Sequence, residues 1–392
     1  MLEHSWRWFG PDDRITLSEI KQTGAMSIVT ALHQVPTGDV WPLAEIQKRK
    51  NLIELEGLRW SVAESIPVHE DIKRRSGNYK TYSENYARTI RNLGKEDIKT
   101  VCYNFMPVLD WSRTNLAFRF QDGSESLGFK FIHFAAIDMY ILRRPGAEES
   151  YTEETKAEAM DFFHQLDESL INKLKDTFLL GFPGSGETLT LETVKERIMS
   201  YKEIDNRKFK ENLFGFLKVI VPAAEEAGVR LAIHPDDPPF PLMGLPRIVS
   251  TLEDAVDIIN SFDSPNNGLT FCTGSFGASF SNDLPLMAEK LASRINFVHL
   301  RNVTRDVRKN FHENYFFDVD IDMYKIMKTI IIEDNKRRMN EKGYTGIPVR
   351  PDHEAQMLGD LKETNYPGYS LYGRLKSLAE IRGLEIGIRR SL

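Results

Sequence analysis

Along this chain, short apolar runs alternate with longer segments whose apolar residues recur at helical spacing. Residues 24–30 (GAMSIVT), 57–64 (GLRWSVAE) and 98–105 (IKTVCYNF) read as strands. Between them, 41–56 and 82–94 read as helices. Leu43, Ile46, Leu52, Ile53 and Leu55 give the first an apolar side, and a glycine stops each one. A helix over 209–228, with Pro222 a possible kink, leads into a second regular half. There the strands are 229–234, 268–273, 295–301 and 346–351, with helices near 251–261, 283–294 and 322–342. A last helix over 369–383 precedes a short basic tail. Repeated strand–helix–strand order is the mark of βα units and a parallel sheet.

The regularity fails between 106 and 210. Helix-like pieces, a charged linker over 143–154 and a Gly/Pro turn over 181–186 are expected there, and 129–142 can hold a fourth strand. That strand brings the count to eight. The expectation is an α/β chain with one (β/α)8 TIM-barrel catalytic domain over 1–392. The 106–210 segment is then a largely helical insertion that caps the barrel or joins two copies as a homodimer.

Composition narrows the partners. With 392 residues, 41% hydrophobic and 28% charged, the chain can bury a large core. A net charge of -6 argues against a general nucleic-acid binder. Cys102 and Cys272 are the two cysteines, far apart and without a CxxC, which fits a reducing cytoplasm and no disulfide framework. The start, MLEHSWRWFG, lacks a signal pattern, and no apolar run approaches the roughly 18 residues of a membrane span.

Four predicted strands end on metal-capable side chains: His234, Cys272, His299 and Asp352, at spacings of 38, 27 and 53 residues. Those spacings suit one or two βα units each, so the four belong to consecutive strands, five to eight. Barrel chemistry sits at the C-terminal strand ends. Imidazole, thiolate and carboxylate together suit a divalent transition metal, with an open position if it is five- or six-coordinate. One His near a strand end is ordinarily structural, and a lone buried Cys such as Cys102 is ordinarily filler. Four on successive strand ends point to a metal site.

Candidate proton-transfer groups lie alongside. His353 follows Asp352, and Tyr369 follows a Pro-Gly turn that would aim it at the barrel mouth. Arg301 and Arg350 stand two residues from His299 and Asp352, on the same strand faces. With Arg7, in WRWFG, they could bind a carboxylate substrate or simply form ion pairs in the barrel wall. His33 and His69 follow predicted strands and could line the cavity; His312 lies in a polar loop; His4 and His164 carry no pattern. GSFG (274–277) and GSG (184–186) lack the spacing and lysine of a phosphate loop.

Taken together, WRWFGP (6–11), TALHQVPTGDVW (30–41), VCYNFMPVLDWSRT (101–114), RRPGAE (143–148), HPDDPP (234–239), GLPRIVST (244–251), CTGS (272–275), HLRN (299–302), RPDH (350–353) and PGY (367–369) closely resemble the mannonate dehydratase family of the xylose-isomerase-like barrels. The resemblance spans nearly the whole chain. It implies dehydration of D-mannonate to 2-keto-3-deoxy-D-gluconate with Mn2+ or Fe2+. It also implies His234, Cys272, His299 and Asp352 as ligands and His353 and Tyr369 as the proton-transfer pair. Glu354 departs from the pattern, since glycine is expected after RPDH; an acidic side chain there could crowd the pocket or perturb His353. The competing readings are a metal-dependent sugar isomerase or epimerase, a DNA phosphodiesterase on the same barrel, and a non-catalytic sugar-acid binding protein.

Overall fold

The computed structural model describes residues 1–182, 189–317 and 321–392. Eight parallel strands close into a barrel: β1 (Glu3–Arg7), β2 (Ser27–Thr30), β3 (Arg59–Glu64), β4 (Thr100–Tyr103), β7 (Arg230–Ile233), β8 (Asn267–Cys272), β9 (Ile295–Leu300) and β12 (Pro348–Pro351). Each pairs with its chain neighbour, and β1 pairs with β12 to close the ring. Helices cover the outside. The longest, Asn206–Ala227, starts on an Asp205 cap and ends where Gly228 turns left-handed at φ 62°. Pro222 lies inside it.

The expected (β/α)8 barrel is therefore the fold, with one strand relocated. The 129–142 stretch is helical, α over Phe131–Ala136 and π over Ile137–Leu142. A continuous apolar run does not separate a buried strand from a buried helix. The missing strand is β1, whose sequence EHSWR reads as polar. All five residues are buried, and three of them find polar partners from other parts of the chain. Glu3 pairs with Arg59 at 2.5 Å, His4 with Glu385 at 2.5 Å, and Ser5 Oγ donates to the Val349 carbonyl at 3.0 Å.

A second, four-stranded sheet was not anticipated. It joins β5 (Asn115–Arg119) and β6 (Glu125–Phe129), from the segment after β4, to β10 (Asn302–Arg305) and β11 (Phe311–Asn314), which follow β9. It stands beside the C-terminal mouth of the barrel because β10 continues directly from β9. The GSG turn at 184–186 lies outside the described residues. No described helix is long and apolar enough to cross a membrane.

Inside the barrel, Val29, Val62, Cys102, Ala232 and Phe297 form one buried layer. Cys102 is thus filler, its Sγ 3.3 Å from Thr270 Oγ1. Above that layer the register places functional side chains at one height. Cys272 is the register partner of His299, and His299 of Arg350, while Glu64 is in register with Cys102 of the layer itself.

Candidate active site

His234, Cys272 and His299 bring one ligand atom each to within 4.8 Å of one another. Asp352 borders them, its Oδ2 3.6 Å from Cys272 Sγ and 3.9 Å from His299 Nδ1. All four sit at or just past the C-terminal ends of β7, β8, β9 and β12, which are neighbouring staves. His234 Nδ1 lies 2.7 Å from the Pro235 carbonyl, a contact that makes Nδ1 the donor and leaves Nε2 for the Cys272 side. His299 is fully buried; its Nε2 lies 3.5 Å from Glu64 Oε1 and makes no closer hydrogen bond among the described residues. A buried imidazole nitrogen so weakly held is costly unless something binds it.

Cys272 caps the short helix Thr273–Gly277 and receives contacts from Ser275 N at 3.4 Å and Ser275 Oγ at 3.2 Å. Burial alone would raise its thiol. The Arg301 guanidinium and hydrogen bonds from His234 and His299 outweigh burial and hold it well below the ordinary thiol range. His234 moves the other way. Burial disfavours its cation, but the Cys272 thiolate raises it to about 9. Without a metal the pair is thiolate and imidazolium, and a divalent cation would take the proton's place. Glu64, Cys102 and His299 also approach within 4.8 Å. There Glu64 is taken by Arg350, and burial pushes the Cys102 thiol well up, so that group reads as packing.

The arginines are heavily used. Arg301 reaches Asp352 Oδ2 at 2.8 Å, Asp237 Oδ2 at 2.6 Å, Ser275 Oγ at 2.9 Å, and Glu313. Gly274 permits this, since a Cβ there would lie 2.4 Å from Arg301 Nε. Arg350 grips Glu64 with two bonds, 3.1 and 2.9 Å, and Asp352 Oδ1 with a third at 2.7 Å. With Arg350 and Arg301 beside it, the Asp352 carboxyl lies well below the usual range despite burial. Both arginines thus sit on the ligand side of their strands, as the alternation predicts, but their charge is spent on protein carboxylates. Arg7, at the end of β1, is buried with its NH1 unpartnered and its guanidinium 4.9 Å from the Phe9 ring centre.

His353 and Tyr369 meet edge to face, 5.3 Å between ring centres at 88°. Trp111 flanks His353 at 5.9 Å. Tyr369 Oη donates to Asp352 Oδ1 at 3.3 Å; burial and that carboxylate raise its phenol above the ordinary value. The Pro-Gly turn does aim Tyr369 at this site. Gly368 has φ 81°, and a Cβ there would press on the His353 ring at 2.8 Å. Glu354 turns away, toward Ser377 on the closing helix Leu371–Ser391. It is 3% exposed, and burial raises its carboxyl well above the usual range.

Four residues escaped the sequence reading: Glu64, Glu313, and Arg113 with Asp237, which pair at 2.7 Å. The clue to Glu313 was alternation in FHEN. Phe311 and Glu313 are buried, while His312 faces the other way and stacks on Phe118 at 4.1 Å. His69 is structural, its Nδ1 accepting from Asp71 N at 3.0 Å.

With this geometry in view, the family can be stated. The sequence matches the family model for D-mannonate dehydratase (UxuA) over residues 2–392. The chain belongs to that family. It is 49% identical over 392 residues to the mannonate dehydratase of Marinomonas sp. (strain MWYL1), covering 100% of both chains. It is 51% identical over 390 residues to that of Chromohalobacter salexigens, covering 99% of each. The crystal structure of mannonate dehydratase from Streptococcus suis serotype 2 superposes with a TM-score of 0.80 at 36% identity, over 100% of this chain and 96% of that one. The reaction is a hydro-lyase step of carbohydrate metabolism in which D-mannonate loses water and yields 2-keto-3-deoxy-D-gluconate. Among the barrel chemistries considered from sequence, the dehydratase stands.

Proposed function

We propose that this dehydration runs on one divalent cation, Mn2+ or Fe2+, held by His234, Cys272, His299 and Asp352, with His353 and Tyr369 moving the protons. The observation that carries the reading is the convergence of one ligand atom each from His234, Cys272 and His299 within 4.8 Å of one another, with Asp352 beside them. The donor set of two imidazoles, a thiolate and a carboxylate suits such an ion. When bound, the cation supplies positive charge against the negative charge that builds up next to the substrate carboxylate as C2 loses its proton.

The chain's own residues supply the rest. Arg7, with a free NH1 in a buried setting, binds the substrate carboxylate. Arg301 and Arg350 orient that end of the substrate through Asp352, the carboxylate they share. Of His353 and Tyr369, one takes the C2 proton and the other protonates the C3 hydroxyl, which leaves as water. The enol that remains tautomerises to the 2-keto acid. The protons balance, and no redox cofactor is required. We place the enzyme in the cytoplasm, as two free, buried cysteines suit. For its assembly we propose a homodimer through the 106–210 segment, which light scattering giving a monomer at assay concentration would overturn.

The test is turnover of D-mannonate by metal-stripped protein before and after Mn2+ or Fe2+ is returned, read as 2-keto-3-deoxy acid. Product that appears with the metal, at one ion per chain, is expected. Full turnover by the stripped protein would overturn the metal reading.

A further inference from the structure

Glu313 lies on β11 of the accessory sheet, 1% exposed, and its Oε1 is 3.3 Å from His353 Nδ1. Two guanidinium groups hold that carboxylate: Arg113 NH2 at 2.5 Å and Arg301 NH1. Its second oxygen, Oε2, is buried without a hydrogen-bond partner, so the carboxylate keeps acceptor capacity beyond the two arginines. The remaining contacts of the His353 ring are steric. Tyr369 and Trp111 flank it, and the backbone at Gly368 closes on it. These surfaces fix the plane of the ring but not which nitrogen carries the proton. That choice falls to the polar contact.

We infer that Glu313 is a positioning residue, which accepts the Nδ1 proton of His353 in a hydrogen bond and so keeps the Nε2 lone pair directed at the substrate. The inference rests on the reading of His353 as a proton-transfer group. A carboxylate flanked by two arginines stays ionised; Arg301 and Arg113 hold Glu313 at about 2 against burial. An ionised carboxylate can only accept, so the proton between the pair belongs to Nδ1. The sheet outside the barrel thereby joins the reaction apparatus, through a residue that touches neither substrate nor metal.

A purely structural counter-ion is the competing account, and the network makes the two separable. Without the charge of Glu313, Arg301 still has Asp237 and Asp352, and Arg113 still has Asp237. Glu313→Gln should therefore fold and keep its metal. In the metal-loaded full chain, we expect it to lower kcat about 10–100-fold, with KM within about threefold and metal content unchanged. Glu313→Asp, which keeps the charge, should fall between Gln and wild type. On a His353→Asn background the Gln substitution should cause no further loss, because the group it positions is gone. Four results would overturn the inference: wild-type kcat in Glu313→Gln; loss of metal or of the thermal transition in step with kcat and not relieved by Asp; an equal further loss on the His353→Asn background; or full turnover by His353→Asn itself. The last strikes the His353 reading directly, so the two failures can be told apart.

Discussion

The barrel buries a charge network at each end, and the two differ in what they leave open. At the N-terminal rim, Glu385 accepts from Leu2 N at 2.7 Å, His4 Nε2 at 2.5 Å and Arg389 Nε at 2.6 Å. Beside it Asp334 accepts from Arg338, Arg389, Tyr344 and the Ile347 amide. Every oxygen of these two carboxylates is engaged, and His4 Nδ1 is the atom of this network left without a hydrogen bond among the described residues. At the C-terminal mouth the charges are as deeply buried, yet Arg7 NH1 and Glu313 Oε2 have no hydrogen-bond partner among the described residues, and His299 Nε2 has only Glu64 Oε1, at 3.5 Å. A network whose carboxylates are all engaged ties elements together. An unsatisfied one carries a standing cost that a ligand can relieve. The contrast predicts that damage at the mouth removes activity, and that damage at the rim removes stability.

The largest effect is expected at the mouth. Cys272→Ser replaces a buried thiolate with a hydroxyl that Arg301 cannot ionise. Turnover should drop to background together with bound metal, measured by elemental analysis beside the assay. A Cys272→Ser protein that keeps both would break the comparison. His353→Asn should follow, with kcat about 10²–10⁴-fold lower and one ion still bound. Loss of the ion with it would assign His353 to metal binding instead.

Most of the fold was legible before any coordinates. Seven of the eight barrel strands announce themselves as apolar runs, and their ends deliver His234, Cys272, His299 and Asp352 to one mouth. What stayed hidden has a physical reason in each case. β1 is written in polar residues because its neutralising partners, Arg59 and Glu385, lie far away in sequence. The 129–142 run is mostly apolar because much of its helix, from Phe134 to Met139, is buried, and burial on several sides blurs the periodicity. Glu313 and Glu64 matter through the arginines that hold them; the alternation in FHEN shows that Glu313 is buried but not which arginines it meets, and Arg350 lies 286 residues from Glu64. The proposed roles of the ligands, His353 and Tyr369 come from motifs; only their proximity comes from geometry.

The rim supplies the next test. Glu385 is fully buried. Burial alone would raise its carboxyl, but bonds from His4, Arg389 and the Leu2 amide lower it to about 2. A depressed folded value stabilises the protein above the ordinary value of 4.5, and that stability is lost as pH falls from there toward about 2. Glu385→Gln should cost about 3–5 kcal/mol at neutral pH and flatten the acid limb, read by denaturant melts across that window. The kcat of the folded fraction should not move. A matching fall in kcat would erase the distinction between the two ends.

Arg7→Gln returns to the mouth with a smaller effect. Losing one charge-assisted bond to the substrate carboxylate, worth about 1.5–3 kcal/mol, should raise KM about 10–100-fold with kcat nearly kept. An unchanged KM would return Arg7 to the barrel wall.

The smallest effect is predicted where the sequence departs from its family pattern. Glu354 adjoins His353, yet its side chain points at Ser377, and burial with Glu313, Glu380 and Asp352 nearby raises its carboxyl well above the usual range, which favours the neutral acid. A neutral carboxylic acid and a primary amide have nearly the same shape, so Glu354→Gln removes no charge from the site. It should change kcat/KM by less than about threefold, under about 0.7 kcal/mol. A tenfold loss would mean that Glu354 is ionised in the working enzyme and acts on His353. The open network at the mouth would then extend to the closing helix, and the division between a reactive mouth and a structural rim would have to be redrawn there.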